Sequence, residues 1–288
     1  MAAHQKAVAA LLLTLLVLAA LPGAPPKRII SLVPNVTEIV YALGAGNRMV
    51  GVSSYDTYPP EVTALPKVGA LLDPNVERIL SLKPDLVVIY GSQQDLKAQL
   101  EKAGIGVFSY RHAGLQGITD TIRELGARLD ETAAADALAG RIERGLDDVR
   151  RRVQGRPRPR TLLVFGHERL SLRGMYVSGG VGFLHDMLGV AGGENVFADV
   201  RTESVQATTE QIIARRPDVI VETRASAGAF SPSERDAETR TWNALGSVPA
   251  VRNGRIVFLF DDRIVVPGPR IVDGTVALAR ALHPDAFK

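Results

Sequence analysis

The apolar and polar residues after residue 27 alternate between two periods. Short apolar runs typical of buried strands occur at residues 28–33, 49–53, 85–90 and 107–110. Segments with helical spacing stand between them. Asn35, with Glu38 three residues later as a capping box, predicts a helix through Leu43, and Asp73 before Pro74 predicts the start of another. This order predicts an α/β lobe with a mostly parallel sheet.

A single uninterrupted helix is predicted over residues 132–153. It contains no proline, and its apolar residues recur at spacings of three and four, at Leu138, Ile142, Leu146, Val149 and Val153. About 22 residues at 1.5 Å each span roughly 33 Å, the width of a small domain. We therefore expect this helix to connect two lobes rigidly.

A second alternating series follows the long helix. Its predicted strands are 161–165, 218–221 and 255–260, and its predicted helices are 181–188, 208–215 and 271–282. Glu77 opens a short helix seven residues before Pro84 and a strand, and Glu210 stands in the same relation to Pro217. This repeat predicts two related lobes.

The predicted fold class is therefore α/β, with two Rossmann-like lobes joined by one long rigid interdomain α-helix. The expected boundaries are 25–130 for the N-terminal lobe, 131–155 for the interdomain helix and 156–288 for the C-terminal lobe.

The beginning of the chain has another pattern. Lys6 precedes a mostly apolar run at 7–21, and prolines with small residues follow it at 22–26. This is typical of a cleaved secretory signal peptide, here residues 1–24, and the run is short for a membrane span. An uncleaved anchor is the alternative. The chain has no cysteine, which excludes a lipid-modified cysteine, disulfides and thiolate metal sites. We expect a soluble, exported, periplasmic protein.

Charge and catalytic motifs exclude several functions. The chain has 34 basic and 31 acidic residues, and its densest arginine run, at 150–160, lies at the predicted joint between lobes, so no nucleic-acid partner is expected. His167-Glu168 begins like a zinc-protease motif but lacks the second histidine, and neither a P-loop nor a serine elbow is present. We predict no enzyme, no catalytic residues and no catalytic cofactor.

Four motifs in order resemble the cobalamin and iron-chelate binding proteins of ABC importers. They are ISLVPNVTE at 30–38, GVSSYDTYPP at 51–60, the segment from Asn75 to Asp85, and GGENVF at 192–197. The likeness covers about residues 28–282. It implies a monomeric receptor that binds a metal chelate (cobalamin or another corrinoid, an iron siderophore or haem) between its lobes. It also implies an ABC permease and its ATPase as partners, with Glu77 and Glu210 docking on the permease.

Candidate ligand residues come from the strand ends, where open α/β sheets bind ligands. Tyr55 matches a corrinoid-contacting tyrosine of the family, whereas Leu71 and Ser204 stand where the best-known cobalamin receptors carry tryptophan, which puts cobalamin in doubt. Aromatic faces suit a flat macrocycle. The predicted ligand contacts are Asn35, Tyr55, Leu71, Tyr90, His112, His167, Tyr176 and Asp261.

Two histidines leave other ligands open. His112 and His167 each follow a strand, one per lobe, with Glu222 and Asp261 at comparable places. These four side chains would make a free divalent-metal (zinc or manganese) receptor, which is the alternative function. Either histidine with a tyrosine would instead ligate haem iron. A metal-dependent hydrolase is the alternative from another class, and ordinary polar cleft-wall histidines are the plainest interpretation.

Overall fold

The computed structural model describes residues 24–225 and 230–287. The predicted signal peptide, residues 1–24, lies outside this part of the chain except for Ala24. Within the described ranges, none of the helices has the length and apolar character needed to cross a membrane.

The N-terminal part forms a four-stranded parallel sheet, as the alternating pattern predicts. Its strands are β1 (Ile29–Ser31), β2 (Met49–Val52), β3 (Leu86–Tyr90) and β4 (Gly106–Tyr110), in the order β2-β1-β3-β4. Its helices are α1 (Pro34–Ala42), α2 (Val76–Ser81), α3 (Gln94–Lys102) and α4 (Leu115–Leu129), with 3-10 turns at Gly46–Arg48 and Pro60–Ala64.

Two predicted helix starts are wrong. Helix α1 begins at Pro34 after Val33, with no side-chain cap, so Asn35 and Glu38 form no capping box. Both are buried and turned toward the second lobe. Helix α2 begins at Val76, and Asn75, rather than Asp73, accepts the capping hydrogen bond from the Arg78 backbone at 2.9 Å.

The C-terminal part forms a mixed sheet. Its strands are β5 (Arg160–Gly166), β6 (Met175–Ser178), β7 (Glu194–Asn195), β8 (Ser204–Ala207), β9 (Val219–Arg224) and β10 (Ile256–Phe260). The order is β10-β9-β5-β6-β8, with β7 beside the start of β5. Strand β6 runs antiparallel to both of its neighbours, β5 and β8, and the other pairs are parallel. Its helices are α6 (Phe183–Val190), α7 (Thr209–Arg215), α8 (Pro232–Trp242), α9 (Pro249–Arg252), α10 (Asp262–Val265) and α11 (Ile271–Leu282), and its 3-10 turns are Asn243–Leu245 and Pro284–Phe287.

Helix α5 (Thr132–Val153) connects the two sheets and has the predicted bounds. Its buried apolar stripe belongs to one hydrophobic cluster that contains residues of both sheets. Two glycines allow close helix packing: a Cβ at Gly126 of α4 would stand 2.2 Å from the Ala135 Cβ, and one at Gly145 would stand 2.7 Å from Val272 of α11. The helix is therefore held between both lobes by packing along its length.

The repeat seen in the sequence is a repeat of structure. Lys83 and Arg216 both adopt left-handed backbone, with φ of 47° and 48°, directly before a buried proline. The aspartate after each proline accepts a hydrogen bond from the backbone N–H of an arginine that precedes or begins a strand. Asp85 does so from Arg28 at 2.9 Å, and Asp218 from Arg160 at 3.1 Å. The same joint between helix and strand is thus built in both lobes.

Candidate functional site

Three rings stand together at the carboxyl end of the first sheet. Tyr90 and Tyr110 end β3 and β4, and His112 follows two residues later. The His112 ring stacks on Tyr90 with centroids 5.9 Å apart and meets Tyr110 edge-on at 5.2 Å. Burial raises the pKa of Tyr110 to about 12, so its phenol stays neutral. The rings form an aromatic wall on the N-terminal side of the cleft.

A cavity of about 500 Å³ opens between His112, the member of this wall that lines it, and residues of the second lobe. Its lining is mostly apolar or aromatic, with Arg224, Glu203 and His112 as charged or titratable members. The lining residues are His112, Phe165, Val181, Gly182, Phe183, Leu184, Glu203, Ser204, Arg224, Ala225 and Val265. A concave apolar site with a few polar groups is the usual form of a ligand pocket.

His112 offers a free imidazole to this cavity. Within the described part of the chain its ring nitrogens have no hydrogen-bond partner. Loss of water around the stacked ring lowers the pKa of His112, and Glu203 opposes this only partly. A neutral ring nitrogen at pH 7 can bind a metal centre or accept a hydrogen bond from a ligand.

Polar contacts join the two lobes across the cleft. Glu38 of α1 forms a two-pronged ion pair with Arg270, at 2.9 and 2.5 Å, and the guanidinium stacks on Tyr58 at 3.9 Å. The Asn35 amide donates to the Pro267 carbonyl at 3.2 Å. Burial raises the pKa of Glu38 despite its arginine partner. These contacts fix the lobes in the conformation described.

His167 does not face the cleft as predicted. Its Nδ1 lies 2.8 and 2.9 Å from the carbonyls of Glu168 and Ser171, and its Nε2 lies 2.9 Å from Glu222. Both the His167 and Glu222 side chains are 1% exposed. Burial alone would lower the pKa of His167, but the hydrogen bond and charge of Glu222 raise it on balance. The His167 side chain is therefore engaged in hydrogen bonds inside the C-terminal lobe rather than open to the cleft.

The predicted free-metal site is wrong. Asp261 caps α10 and its carboxylate binds Arg263 at 2.6 Å, while Glu222 is occupied by His167 and the Trp242 indole. No group of three or more His, Asp or Glu side chains able to hold a metal exists in residues 24–225 and 230–287. Three of the four proposed ligands, His167, Glu222 and Asp261, are engaged in internal hydrogen bonds.

The remaining predicted contacts are exposed. Tyr55 is 75% exposed, Leu71 39% and Tyr176 43%. The Gln93 amide ties the Leu71 backbone to the end of β3, since it donates to the Leu71 carbonyl at 3.0 Å and accepts from the Tyr90 N–H at 2.9 Å. The Tyr176 ring lies 6.4 Å from Phe165, which lines the cavity. Their contact with a ligand stays a prediction.

Some lining residues are not among the predicted ligand contacts. Phe165 and Arg224 lie at the ends of β5 and β9, where the strand-end rule places ligand residues, but neither was among those contacts. Phe183, Leu184 and Val265 come from helices α6 and α10, and no sequence pattern distinguishes their cavity-facing positions from core positions.

Glu77 and Glu210 occupy the same position in two equivalent helices. Each is exposed and is the second residue of α2 or α7, where Asn75 or Thr208 caps the first turn. The two carboxylates therefore occupy equivalent positions in the two lobes, and both are exposed to a partner protein.

Comparison with known proteins identifies the family. A family model described as periplasmic binding protein matches residues 29–262. The chain belongs to the periplasmic binding protein family. An ABC transporter substrate-binding lipoprotein of Bacillus subtilis, YvrC, is 35% identical over 91% of this chain and 82% of its own length. The vitamin B12-binding protein of Salmonella typhimurium is 34% identical over 96% of each chain.

Solved structures agree with this membership. The apo periplasmic haem-binding protein RhuT from Roseiflexus sp. RS-1 is 28% identical, with a TM-score of 0.75 over 90% of this chain and 99% of that one. Proteins of this family bind and transport solutes and are not enzymes, so the hydrolase alternative is wrong. The two-lobed α/β fold predicted from the sequence is confirmed.

Proposed function

We propose that this chain captures a metal chelate in the cleft between its lobes and delivers it to the permease of an ABC importer. The observation that carries this proposal is the cavity of about 500 Å³ between the second lobe and His112, whose ring packs on Tyr90 and Tyr110. Flat aromatic and apolar walls bury a macrocycle over a large area at a small entropic cost.

A corrinoid such as cobalamin is the preferred ligand, with haem and ferric siderophores as further candidates. A relative named as a vitamin B12-binding protein matches 96% of this chain at 34% identity, and a haem-binding protein shares the fold. The proposed contacts are Asn35, Tyr55, Leu71, Tyr90, His112 and Tyr176. His112 lines the cavity and Tyr176 lies beside the lining residue Phe165, whereas His167 and Asp261 make internal contacts.

Delivery is proposed to depend on Glu77 and Glu210. The two carboxylates are exposed, and helix α5 connects the lobes that carry them. Together they would fix the orientation in which the protein docks on basic pockets of the permease. Neither lies among the residues that line the cavity, so loss of docking is separable from loss of binding.

The test replaces both glutamates. Glu77→Ala/Glu210→Ala should keep the ligand affinity of the purified protein within about twofold and abolish ligand uptake by cells that depend on this receptor. Glu124→Ala, an exposed glutamate on α4, is the matched control and should keep both. Normal uptake by the double variant, or a lost affinity, would contradict the docking role.

We further propose that the chain is exported to the periplasm through a cleaved signal peptide and that it is monomeric. The proposed boundaries are 25–130 for the N-terminal lobe, 131–155 for the interdomain helix and 156–288 for the C-terminal lobe. The N-terminal sequence and the mass of the mature protein in solution test the first two.

A further inference from the structure

The start of helix α4 is capped by a side chain from the other lobe. Gly114 occupies the N-cap position and has no side chain to offer, so the backbone N–H of Leu115 donates to Oδ2 of Asp186 at 2.9 Å. Asp186 itself lies in the first turn of α6. One half-buried carboxylate therefore stands at the N-termini of two helices, whose dipoles both favour a negative charge there.

The residue at 114 must be small for this contact to form. A Cβ on Gly114 would stand 2.1 Å from Oδ2 of Asp186 and 3.2 Å from its Cγ. The backbone of Gly114 has a φ of −68°, which any residue can adopt, so the glycine serves the close approach of the carboxylate. Among the residues that the structure describes, no lysine or arginine forms an ion pair with Asp186, and its hydrogen-bond donor is the Leu115 N–H.

This contact lies three residues from the ligand cavity in each lobe. His112 precedes Leu115 by three residues, Phe183 precedes Asp186 by three, and both His112 and Phe183 line the cavity. Leu115 and Asp186 instead line a separate cavity of about 560 Å³ beside helix α5. Three residues of chain span at most roughly 11 Å, so the hydrogen bond limits how far His112 can move from α6.

The position of His112 depends on this anchor because its own segment is weakly held. Residues 111–113 form no backbone hydrogen bond to any described residue. The His112 ring stacks on Tyr90, but no hydrogen bond to the described chain fixes its nitrogens. The segment is therefore fixed at its two ends, by Tyr110 at the end of β4 and by the hydrogen bond between Leu115 and Asp186.

We propose that Asp186 is a positioning residue for ligand binding, which holds Leu115 and thereby keeps the His112 imidazole in the lining of the cavity. The proposal rests on the proposed function and extends it to a residue that does not line the ligand cavity. Without the contact, His112 would be mobile in the ligand-free protein and would have to be ordered when the chelate binds. Ordering a side chain on binding lowers the affinity.

The first test needs no ligand. NMR titration follows the His112 imidazole in the ligand-free native protein and in Asp186→Ala. Loss of water around the ring lowers the pKa of His112 in the native protein, and release of the ring should raise this pKa toward its ordinary value. Removal of the Asp186 charge would by itself lower the pKa, and Glu203, which raises it, is present in both proteins. A rise therefore identifies movement of the ring.

The second test measures the affinity for cyanocobalamin and for haemin. For whichever probe binds, Asp186→Ala should weaken binding about 3- to 10-fold, but less than about twofold in a His112→Ala background, where the positioned ring is absent. Gly114→Ala, which displaces the carboxylate, should act like Asp186→Ala.

Two further variants serve as controls for both tests. Asp186→Asn, which keeps an acceptor oxygen for the Leu115 N–H, should retain the native affinity and should not raise the pKa of His112. Asp147→Ala removes an exposed carboxylate from the same separate cavity and should change neither quantity.

A pKa of His112 that stays the same or falls in Asp186→Ala would overturn the positioning role while leaving the receptor function intact. So would an equal loss of affinity with and without the His112 ring. If circular dichroism shows that the alanine variants do not fold, hydrogen exchange of the native protein decides. The Leu115 amide, the first of helix α4, has no acceptor within the helix, so slow exchange supports the contact and rapid exchange overturns it. If the native protein binds neither probe and no ferric siderophore, the proposed function fails, and the His112 titration still decides the role of Asp186.

Discussion

At the scale of single residues, Asp56 is a buried acid that its surroundings do not satisfy. The residue is 3% exposed, and neither carboxylate oxygen has a hydrogen bond of good geometry within the described chain. Burial raises the pKa of Asp56 from 3.8 to about 6, which the Thr37 hydroxyl and the Lys67 charge reduce only in part. Ionised Asp56 therefore costs stability at neutral pH.

Removal of this charge should stabilise the protein in a pH-dependent way. Because the folded pKa lies above the unfolded one, the native protein gains stability from Asp56 as the pH falls from 8 through 6 to about 4. Asp56→Asn should raise the free energy of unfolding by about 1 to 2 kcal/mol at pH 8, and the difference should vanish near pH 4. Urea unfolding at both pH values measures it, with exposed Asp95→Asn as control. An equal effect at both pH values would contradict the assignment.

His112 should report on a bound metal centre. Its neutral imidazole faces the cavity and stacks on Tyr90. We expect His112→Ala to weaken binding of the chelate about 3- to 30-fold, because it removes a ring contact and a nitrogen ligand or acceptor. His185→Ala, outside this cavity, should bind normally. Unchanged affinity together with an unchanged absorbance spectrum of the bound chelate would remove His112 from the site.

At the scale of elements, both lobes reuse one joint between helix and strand. Lys83 and Arg216 hold left-handed backbone before Pro84 and Pro217, a conformation that costs side-chain-bearing residues roughly 1 kcal/mol. The repeated proline and aspartate were visible in the sequence, and the backbone conformation was not.

Glycine at these two positions should relieve the strain. Lys83→Gly and Arg216→Gly should each raise the free energy of unfolding, because glycine adopts left-handed backbone without strain. The expected gain is about 0.5 to 1 kcal/mol before the larger loss of backbone entropy of glycine on folding is subtracted. Lys97→Gly, inside helix α3, should instead lower it by about 1 kcal/mol. Thermal unfolding of the three variants separates these results, and destabilisation by all three would show that the left-handed backbone carries no strain.

The sequence predicts elements well where burial is periodic. Helices α5 and α11 have their predicted bounds because each buries a regular apolar stripe. Helix α8 escaped prediction because only Glu238 and Trp242 of its residues are buried, so it shows no apolar period. The starts of α1 and α2 were misassigned because Asn35 with Glu38 fits a capping box and Asp73 before Pro74 fits an N-cap, whereas the fold uses Glu38 across the cleft and caps α2 with Asn75.

At the scale of the whole molecule, the site follows from contacts between residues far apart in sequence. The carboxyl ends of parallel strands brought Tyr90 and His112 together, as expected from topology alone. The same rule predicted that His167 faces the cleft, and this prediction was wrong because Glu222 and two carbonyl oxygens bind the imidazole inside the C-terminal lobe. The Glu38–Arg270 pair joins residues 232 positions apart, which no local pattern specifies.

This ion pair should help to hold the lobes together. Glu38→Gln removes the charge that binds Arg270 and should lower the free energy of unfolding by about 1 to 2 kcal/mol. It should also enlarge the ligand-free protein in small-angle scattering, since the pair spans the cleft. Glu131→Gln, which breaks the pair with Arg48 at 2.7 Å beside helix α5, should not enlarge it. Equal dimensions for both variants would show that packing alone sets the cleft.

The most direct test of the receptor function is a titration of the purified protein with cyanocobalamin, haemin, ferric siderophores and zinc, followed by absorbance. We predict saturable one-to-one binding of at least one chelate, with a shifted metal spectrum. Binding of zinc alone, or of none of these ligands, would contradict the assignment of the interlobe cavity to a metal chelate.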